Sequence, residues 1–404
     1  MTSSSPTSAI SPATRRSILL LSFACFTSMT AQRICDAMLP ELSRVFSVGL
    51  GQAAHVVSFF AIADGFAQLV YGPTGDRLGK YPVITFAALL CCAGSLFAAF
   101  ATTLDMLVWA RIVMSLGAAG LIPLAMAWVG DSVPTDQIQE QLTRTGLGST
   151  LGIVGGQLVG GLLTDAFGWR WAFVFMTVLS GGVGALLYMD LRRQRAAPQR
   201  PVKTRPRVGF IRQALEILTG RWSRIVLLMA MVEGAVGFGV LAMWASHLHR
   251  SLGLSLSISG AIVALFGLGG MGYMAVGRHL IRRFGQQGLV VMGGILVGIA
   301  ALVVAYTPYW GPAIPASFVA GFGFFMFHNT MQATATLMVP HARGTAVSLF
   351  SSSLFIGQSV GVVVAAALIE RIGTSAVIAL GGAAMAVEGV YFARALKRRE
   401  RRLA

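Results

Sequence analysis

The sequence predicts an all-α membrane protein whose twelve transmembrane helices fall into two groups of six. Three observations carry that prediction. Of the 404 residues, 55% are hydrophobic and 11% charged, with a mean hydropathy of +0.73, a balance that no soluble fold can hide from water. Twelve apolar runs are each long enough to cross a bilayer, which takes about 20 helical residues; they lie near 17–38, 53–72, 82–101, 104–128, 146–164, 171–190, 224–246, 258–280, 288–306, 314–337, 345–368 and 374–395. The longest polar interruption, 191–223, holds Pro198, Pro201, Pro206 and a dense basic run against one acid, Glu216, and it divides the runs six and six.

Charge placement sets the topology. A net charge of +16 would suit nucleic acid if it lay on a soluble face, but twenty-five of the 31 Lys and Arg fall on the side of the N-terminus. The other side keeps Arg44, Arg170, Arg250 and Arg371, and Arg33 and Arg111 lie within spans. Such a bias places both termini in the cytoplasm and argues against nucleic-acid binding. The expected units are a disordered tail 1–16, an N-terminal bundle 17–190, a basic cytoplasmic linker 191–223, a C-terminal bundle 224–395 and a basic tail 396–404.

The elements follow in order. Residues 1–14 are rich in Ser, Thr and Pro and are expected to be disordered. Arg15 and Arg16 precede span 1, whose apolar run outlasts a signal-peptide core and lacks a clean A-x-A site, so it is expected to be retained. Near its end Arg33 and Asp36 stand three residues apart, on one face of a helix, where each partly neutralises the other. Cys25, Cys35, Cys91 and Cys92 fall in or beside spans without metal-ligand spacing and read as packing residues, with no metal or disulfide implied. Span 2 carries Asp64, a gate or a structural hydrogen-bonding group. The stretch Tyr71 to Lys80, Y-G-P-T-G-D-R-L-G-K, reads as a short loop between spans 2 and 3. Its glycines Gly72, Gly75 and Gly79 permit turns, Pro73 disfavours a regular helix, and Asp76, Arg77 and Lys80 put charge where the apolar pattern stops.

Arg111 sits inside span 4, where an unpaired Arg is costly and faces a wet interior or binds backbone carbonyls. Span 5 repeats glycine at four-residue spacing, with Gly148, Gly152, Gly155, Gly156, Gly160 and Gly161, which lets helix backbones approach closely in lipid. Trp169, Arg170 and Trp171 follow as an interfacial turn. Span 7 carries Glu233, span 12 Glu388, and span 10 His328, Asn329 and Gln332 beside Phe324, Phe325 and Phe327. Intramembrane ionisable groups are functional candidates by default. Glu388 reads instead as a helix-helix hydrogen-bonding or lipid-edge group, and His328 either as a site group or as a satisfied interior His. After span 8, Gly277 to Gly285 repeats the 72–80 pattern faintly, with Ile281 in place of the Asp.

These stretches together resemble the major facilitator superfamily, over about residues 15–394. Gly72, Asp76, Arg77, Gly79 and Lys80 are similar to its motif between helices 2 and 3, where the Asp and Arg latch neighbouring helices on the cytoplasmic side. The run Leu107 to Gly117 resembles its fourth helix, whose Arg is tied to proton transfer; Met114 and Ser115 replace the usual Gln and Gly. Gly152, Gly156, Gly160 and Gly161 resemble an antiporter signature on helix 5, with Gln157 where that signature has Pro. The start of span 11, Pro340 to Ser348, looks like that of bacterial exporters in the family.

The resemblance implies two pseudo-symmetric six-helix bundles around a cavity lined by helices 1, 4, 7 and 10. Arg33, Asp36, Arg111, Glu233, His328, Asn329 and Gln332 would share that cavity, with Asp36, Glu233, Arg111 and His328 as candidates for proton coupling. Asp64 and Glu388 would lie on flanking helices. The implied activity is export of a small amphipathic solute or metabolite in exchange for protons across a bacterial inner membrane, with one chain holding a complete pathway and so acting as a monomer. The partners are then the solute, protons and the bilayer. A proton symporter or facilitator importing a small organic solute would have the same fold, and a non-transporting sensor would need a larger soluble domain than 191–223 offers. No phosphate-binding G-x-x-x-x-G-K-[ST] loop or H-E-x-x-H occurs, and the one G-x-S-x-G match, Gly357 to Gly361, lies within the apolar span 11, so neither ATP-driven work nor enzymatic hydrolysis is expected, and no cofactor. Asp36 has Arg33 one turn away whereas Glu233 has no basic neighbour at helical spacing, so Glu233 is expected to carry the exchangeable proton and Asp36 to orient substrate.

Overall fold

In the computed structural model, which describes residues 10–134, 137–196 and 209–403, the helices begin where the sequence offers a cap. Ser11 accepts the Thr14 N–H ahead of α1 (Pro12–Arg33), and Pro12 takes the first turn, where a missing N–H costs nothing. Five residues in turns lead to α2 (Leu39–Val45), then α3 (Leu50–Ala53) and α4 (His55–Leu78). α5 (Lys80–Ala99), α6 (Leu104–Ser132), α7 (Ile138–Phe167) and α8 (Trp169–Ala196) complete the first half. Thr103 caps α6 through the Met106 N–H.

The second half repeats the plan. The short α9 (Phe210–Thr219) precedes α10 (Arg221–Glu233), a π-helical turn at Gly234–Gly239, and α11 (Trp244–Leu252). α12 (Leu256–Tyr306) and α14 (Arg343–Leu403) each cross twice, because the chain reverses at Gly285 (φ 64°) and Gly373 (φ 81°), left-handed conformations that glycine adopts without steric cost. α13 (Ala313–Leu337) lies between them. Eight stretches of the described residues are long and apolar enough to span a membrane. α12 and α14 are two of these and supply two crossings each. α1 and α13 are long enough but less apolar, and they complete the twelve. Their lower hydropathy reflects the polar groups they carry inward.

Large apolar side chains such as Phe66, Val70, Phe86, Trp109, Val178 and Val387 point outward. That is the inverted surface expected of a protein whose solvent is lipid.

Three sequence expectations need correction. Tyr71 to Lys80 is not a ten-residue loop: α4 continues through Pro73 to Leu78, and only Gly79 (φ 89°) separates it from α5. Pro73 lacks only one hydrogen bond in an otherwise intact helix, so the left-handed glycine, rather than the Pro, ends it. Span 1 is not one helix to residue 38, since α1 stops at Arg33 and Asp36 stands in the turn beyond. Residues 12–16 of the expected tail are helical, and the 191–223 stretch includes the end of α8, all of α9 and the start of α10. Residues 1–9 and 197–208 lie outside the described residues.

Within the first half a polar knot ties the ends of three helices. Asp190 on α8 accepts from Arg16 Nε at 2.7 Å, Ser17 Oγ at 2.7 Å, Tyr81 Oη at 2.7 Å and Gln194 Nε2 at 2.9 Å. A buried carboxylate with so many donors is satisfied and holds α1, α5 and α8 together. The two halves meet along two seams, α4 against the first crossing of α14 and α7 against the first crossing of α12. At its end away from the termini the second seam is closed by Asp165, which accepts both the Ser257 N–H and its hydroxyl at 2.6 Å.

Candidate functional site

Two broken helices build the site. α1 ends at Arg33 and resumes as the short α2 after five residues in turns, and α10 gives way at Glu233 to the π-helical turn that leads to the short α11. A helix end inside a membrane leaves carbonyls without intrahelical partners and a partial negative charge that favours cations. Arg111 on α6 meets that need. Its Nη1 donates to the Ala31 carbonyl in the last turn of α1 at 2.6 Å, its Nε to the Val56 carbonyl at 3.1 Å, and its guanidinium lies 4.0 Å from the Phe60 ring centroid. Arg111 is fully buried and touches no carboxylate among the described residues. These contacts are of the backbone-carbonyl kind that the sequence offered as one reading of Arg111.

Beyond the break, Arg33 Nη1 and Asp36 Oδ2 are 3.4 Å apart, both fully buried. Their pairing spans a helix end rather than a helix face. Gln157 Nε2 on α7 donates to the same Asp36 oxygen at 2.8 Å. The close approach that makes this possible comes from the helix 5 glycines. A Cβ at Gly156 would come within 2.8 Å of Arg33 Cβ and 2.9 Å of the Thr30 oxygen, and one at Gly160 would run into the Ile34 carbonyl. Gly152 faces the Phe26 carbonyl in the same way, whereas Gly161 faces Leu256 of the other half. Phe238, from the π-helical turn of the second half, stacks on Arg33 with its centroid 4.1 Å from the guanidinium carbon.

The second cluster is Glu233 with His328. Glu233 Oε1 and His328 Nδ1 are 2.8 Å apart, and the carboxylate is fully buried while the imidazole is 15% exposed. His328 stacks on Phe324 at 5.6 Å, and its ring centre is 6.4 Å from that of Phe238. A continuous path therefore runs Glu233, His328, Phe238, Arg33, Asp36, Gln157, across both halves. Asn329 and Gln332 are half-buried on α13 beyond His328.

The other expected residues are not members of this path, although Glu388 lies within electrostatic reach of Glu233. Asp64 Oδ1 accepts from Gln68 Nε2 at 3.0 Å, and Gln68 also donates to the Ala119 carbonyl. Glu388 is 4% exposed, so it is not a lipid-edge group, and neither carboxylate oxygen bonds to another side chain among the described residues. Gly72 faces Ser348 at the start of α14, Asp76 and Arg77 are exposed at the end of α4, and Lys80 pairs with Asp131 of α6.

Sequence reasoning missed two members of the site. Gln157 was visible as the departure from a glycine motif, a polar residue on an otherwise small-residue face. Phe238 gave no signal of its own within an apolar run.

With this geometry in hand, comparison with known proteins places the chain. The family model described as Major Facilitator Superfamily matches residues 21–352 and 290–404. A putative multidrug resistance protein MdtD of Klebsiella pneumoniae is 26% identical over 236 residues, 58% of this chain but 47% of that protein, so the chain spans about half the length of that relative. The Citrobacter koseri protein of the same description is 23% identical over 93% of this chain and 90% of its own. Among solved structures, a mutant form of the nucleoside transporter NupG superposes with a TM-score of 0.77 at 15% identity, covering 93% of this chain and 98% of the other.

Proposed function

The chain belongs to the major facilitator superfamily, and from that membership we propose that it is a secondary active transporter exporting a small amphipathic solute or metabolite in exchange for protons. The relatives described as multidrug resistance proteins support export. One observation carries the coupling: a fully buried carboxyl group, Glu233, shares a 2.8 Å hydrogen bond with a partly exposed imidazole at the break of span 7. A proton can sit on either partner of such a bond, and its position decides whether the pair is neutral or charged within hydrocarbon. Aromatic contacts link the pair to Arg33 and Asp36 in the other half. Proton binding can therefore bias how the halves meet, which is what alternating access requires.

In this reading Glu233 is the proton carrier and His328 its point of entry. Asp36, held by Arg33 and Gln157, orients the solute. Arg111 supports the site by fixing the end of α1. The distribution of basic residues supports both termini lying in the cytoplasm of a bacterial inner membrane, with the Asp165 and Ser257 contact then closing the outer side. Gly72, Asp76, Arg77, Gly79 and Lys80 form the cytoplasmic latch of the opposite state. One chain suffices, with lipid, solute and protons as its partners.

The test is proton flux in liposomes containing the purified protein, with an imposed pH gradient and a panel of amphipathic solutes. Solute-dependent proton movement in the opposite direction to solute is expected. Movement of both in one direction would make the protein a symporter, and solute flux indifferent to the gradient would make it a facilitator.

A further inference from the structure

Two arginines of this protein hold carboxylates through one edge of the guanidinium. Arg44 grips Glu41 with the Nε and Nη2 edge of its guanidinium, at 2.8 and 2.6 Å, and Arg16 presents the same edge to Asp190. That edge offers two parallel N–H groups matched to the two oxygens of a carboxylate. Arg33 departs from the pattern. Its only hydrogen bond among the described residues, a long one of 3.4 Å to Asp36, uses Nη1, and both Nε and Nη2 are buried without a partner. Phe238 covers one face of the guanidinium, and the unpartnered Nε and Nη2 lie along its edge. On the neighbouring groups the unpartnered atoms are acceptors. Asp36 Oδ1 and Gln157 Oε1 are buried acceptors without donors, each on a side chain whose other polar atom is engaged in the 2.8 Å bond between them.

A buried donor edge beside buried acceptors is unstable left alone, because each group has given up water without replacement. Building on the transport reading, we propose that the solute is an amino carboxylate: its carboxylate docks on the Nε and Nη2 edge of Arg33, and its ammonium donates to Asp36 Oδ1 and Gln157 Oε1. The site demands both signs at once. A carboxylate alone leaves the acceptors unpaired, and a cation alone leaves the Arg33 edge unpaired and adds charge beside it. Phe238 and the aromatic residues behind it, Phe324 and Phe266, suit an apolar body between or beside the two charged ends.

Three matched probes test this on the purified full chain: 4-(aminomethyl)benzoate, with both charges, benzoate, with the carboxylate only, and benzylammonium, with the cation only. Binding is read by ligand-dependent shift of the unfolding midpoint and by tryptophan fluorescence. The zwitterion is expected to bind at least about tenfold more tightly than benzoate, and benzylammonium not measurably. Arg33→Lys, which keeps the charge but loses the fork, should weaken both carboxylates about tenfold or more. Asp36→Asn should instead erase the preference for the zwitterion over benzoate, which keeps the test open if the Arg33 variant does not fold. Binding of benzylammonium equal to or tighter than that of the zwitterion, or no binding of any probe, overturns the proposal. Cation exchange for protons would do so while leaving the transport reading intact. Arg33-dependent carboxylate binding without solute-dependent proton flux would support the site and overturn the transport reading.

Discussion

Gln157 Nε2 donates to Asp36 Oδ2 at 2.8 Å, joining the middle of α7 to the break in span 1. In the helix 5 signature that this region resembles, the position belongs to Pro, which has no side-chain donor. Here the glycines at 156 and 160 bring α7 close enough for an amide to reach across. The same glycine pattern thus serves two purposes, backbone approach and placement of a polar group, and the substitution adds a contact to the carboxylate that Arg33 holds at longer range.

Removing that amide should therefore loosen the break. Gln157→Leu keeps the volume roughly but strips the carboxylate of its nearest neutral donor, at a cost of about 1.5–3 kcal/mol for a buried bond to a charged group. A lower unfolding midpoint in detergent is the expected reading, together with slower exchange in liposomes. An unchanged midpoint would mean the bond does not hold Asp36 in place.

Close approach itself can be tested by adding bulk. Gly160→Val must push against the Ile34 carbonyl, which is backbone and cannot swing aside, whereas a Cβ added at Gly182 on α8 would meet nothing within 4 Å, and that position is exposed toward lipid. Overpacking costs roughly 1–3 kcal/mol, so Gly160→Val should lower stability and abolish exchange while Gly182→Val changes neither. Equal behaviour of the two variants would remove the packing role of the helix 5 glycines.

Arg111 offers a sharper separation of structure from coupling. Arg111→Ala leaves the Ala31 and Val56 carbonyls without their donors and removes the stack on Phe60, a loss of roughly 3–5 kcal/mol for two charged hydrogen bonds in the interior. Arg111→Lys can replace one of the two bonds and should recover about half of that loss. The expected result is that transport falls in step with equilibrium unfolding in mixed micelles. Transport lost at full stability would instead return Arg111 to a direct part in proton transfer.

The sequence made the membrane architecture plain because hydrocarbon imposes a composition over about 20 residues at a time, a signal far stronger than any single side chain. Arg33, Asp36, Glu233 and His328 stood out for a related reason, as polar groups where polarity is expensive. Their partners did not stand out. Glu233 has no basic neighbour along its own helix, and the His328 that pairs with it is 95 residues away; helical spacing is blind to contacts between helices. The breaks at Arg33 and Glu233 were also hidden, since an apolar run reads the same whether its helix is continuous or interrupted. Pro73 misled in the other direction, suggesting a loop where the helix continues to Leu78.

Glu233 is fully buried and His328 is 15% exposed, and in the proposed reading the imidazole is the entry point for a proton bound for Glu233. Replacing the carrier and replacing the entry point should then have different signatures. Glu233→Gln keeps a hydrogen-bond partner for His328 but cannot release a proton, so solute should still move down its own gradient while an imposed pH gradient no longer drives accumulation. His328→Phe preserves ring stacking on Phe324 and leaves the acid in place, so accumulation should persist but at a rate lower by about tenfold, the equivalent of one lost hydrogen bond of about 1.4 kcal/mol. Glu388 is the necessary control, because it too is buried and lies within electrostatic reach of Glu233. Glu388→Gln should leave coupling intact. If Glu388→Gln uncouples and Glu233→Gln does not, the exchangeable proton resides on the twelfth crossing, and the bond between Glu233 and His328 is structural.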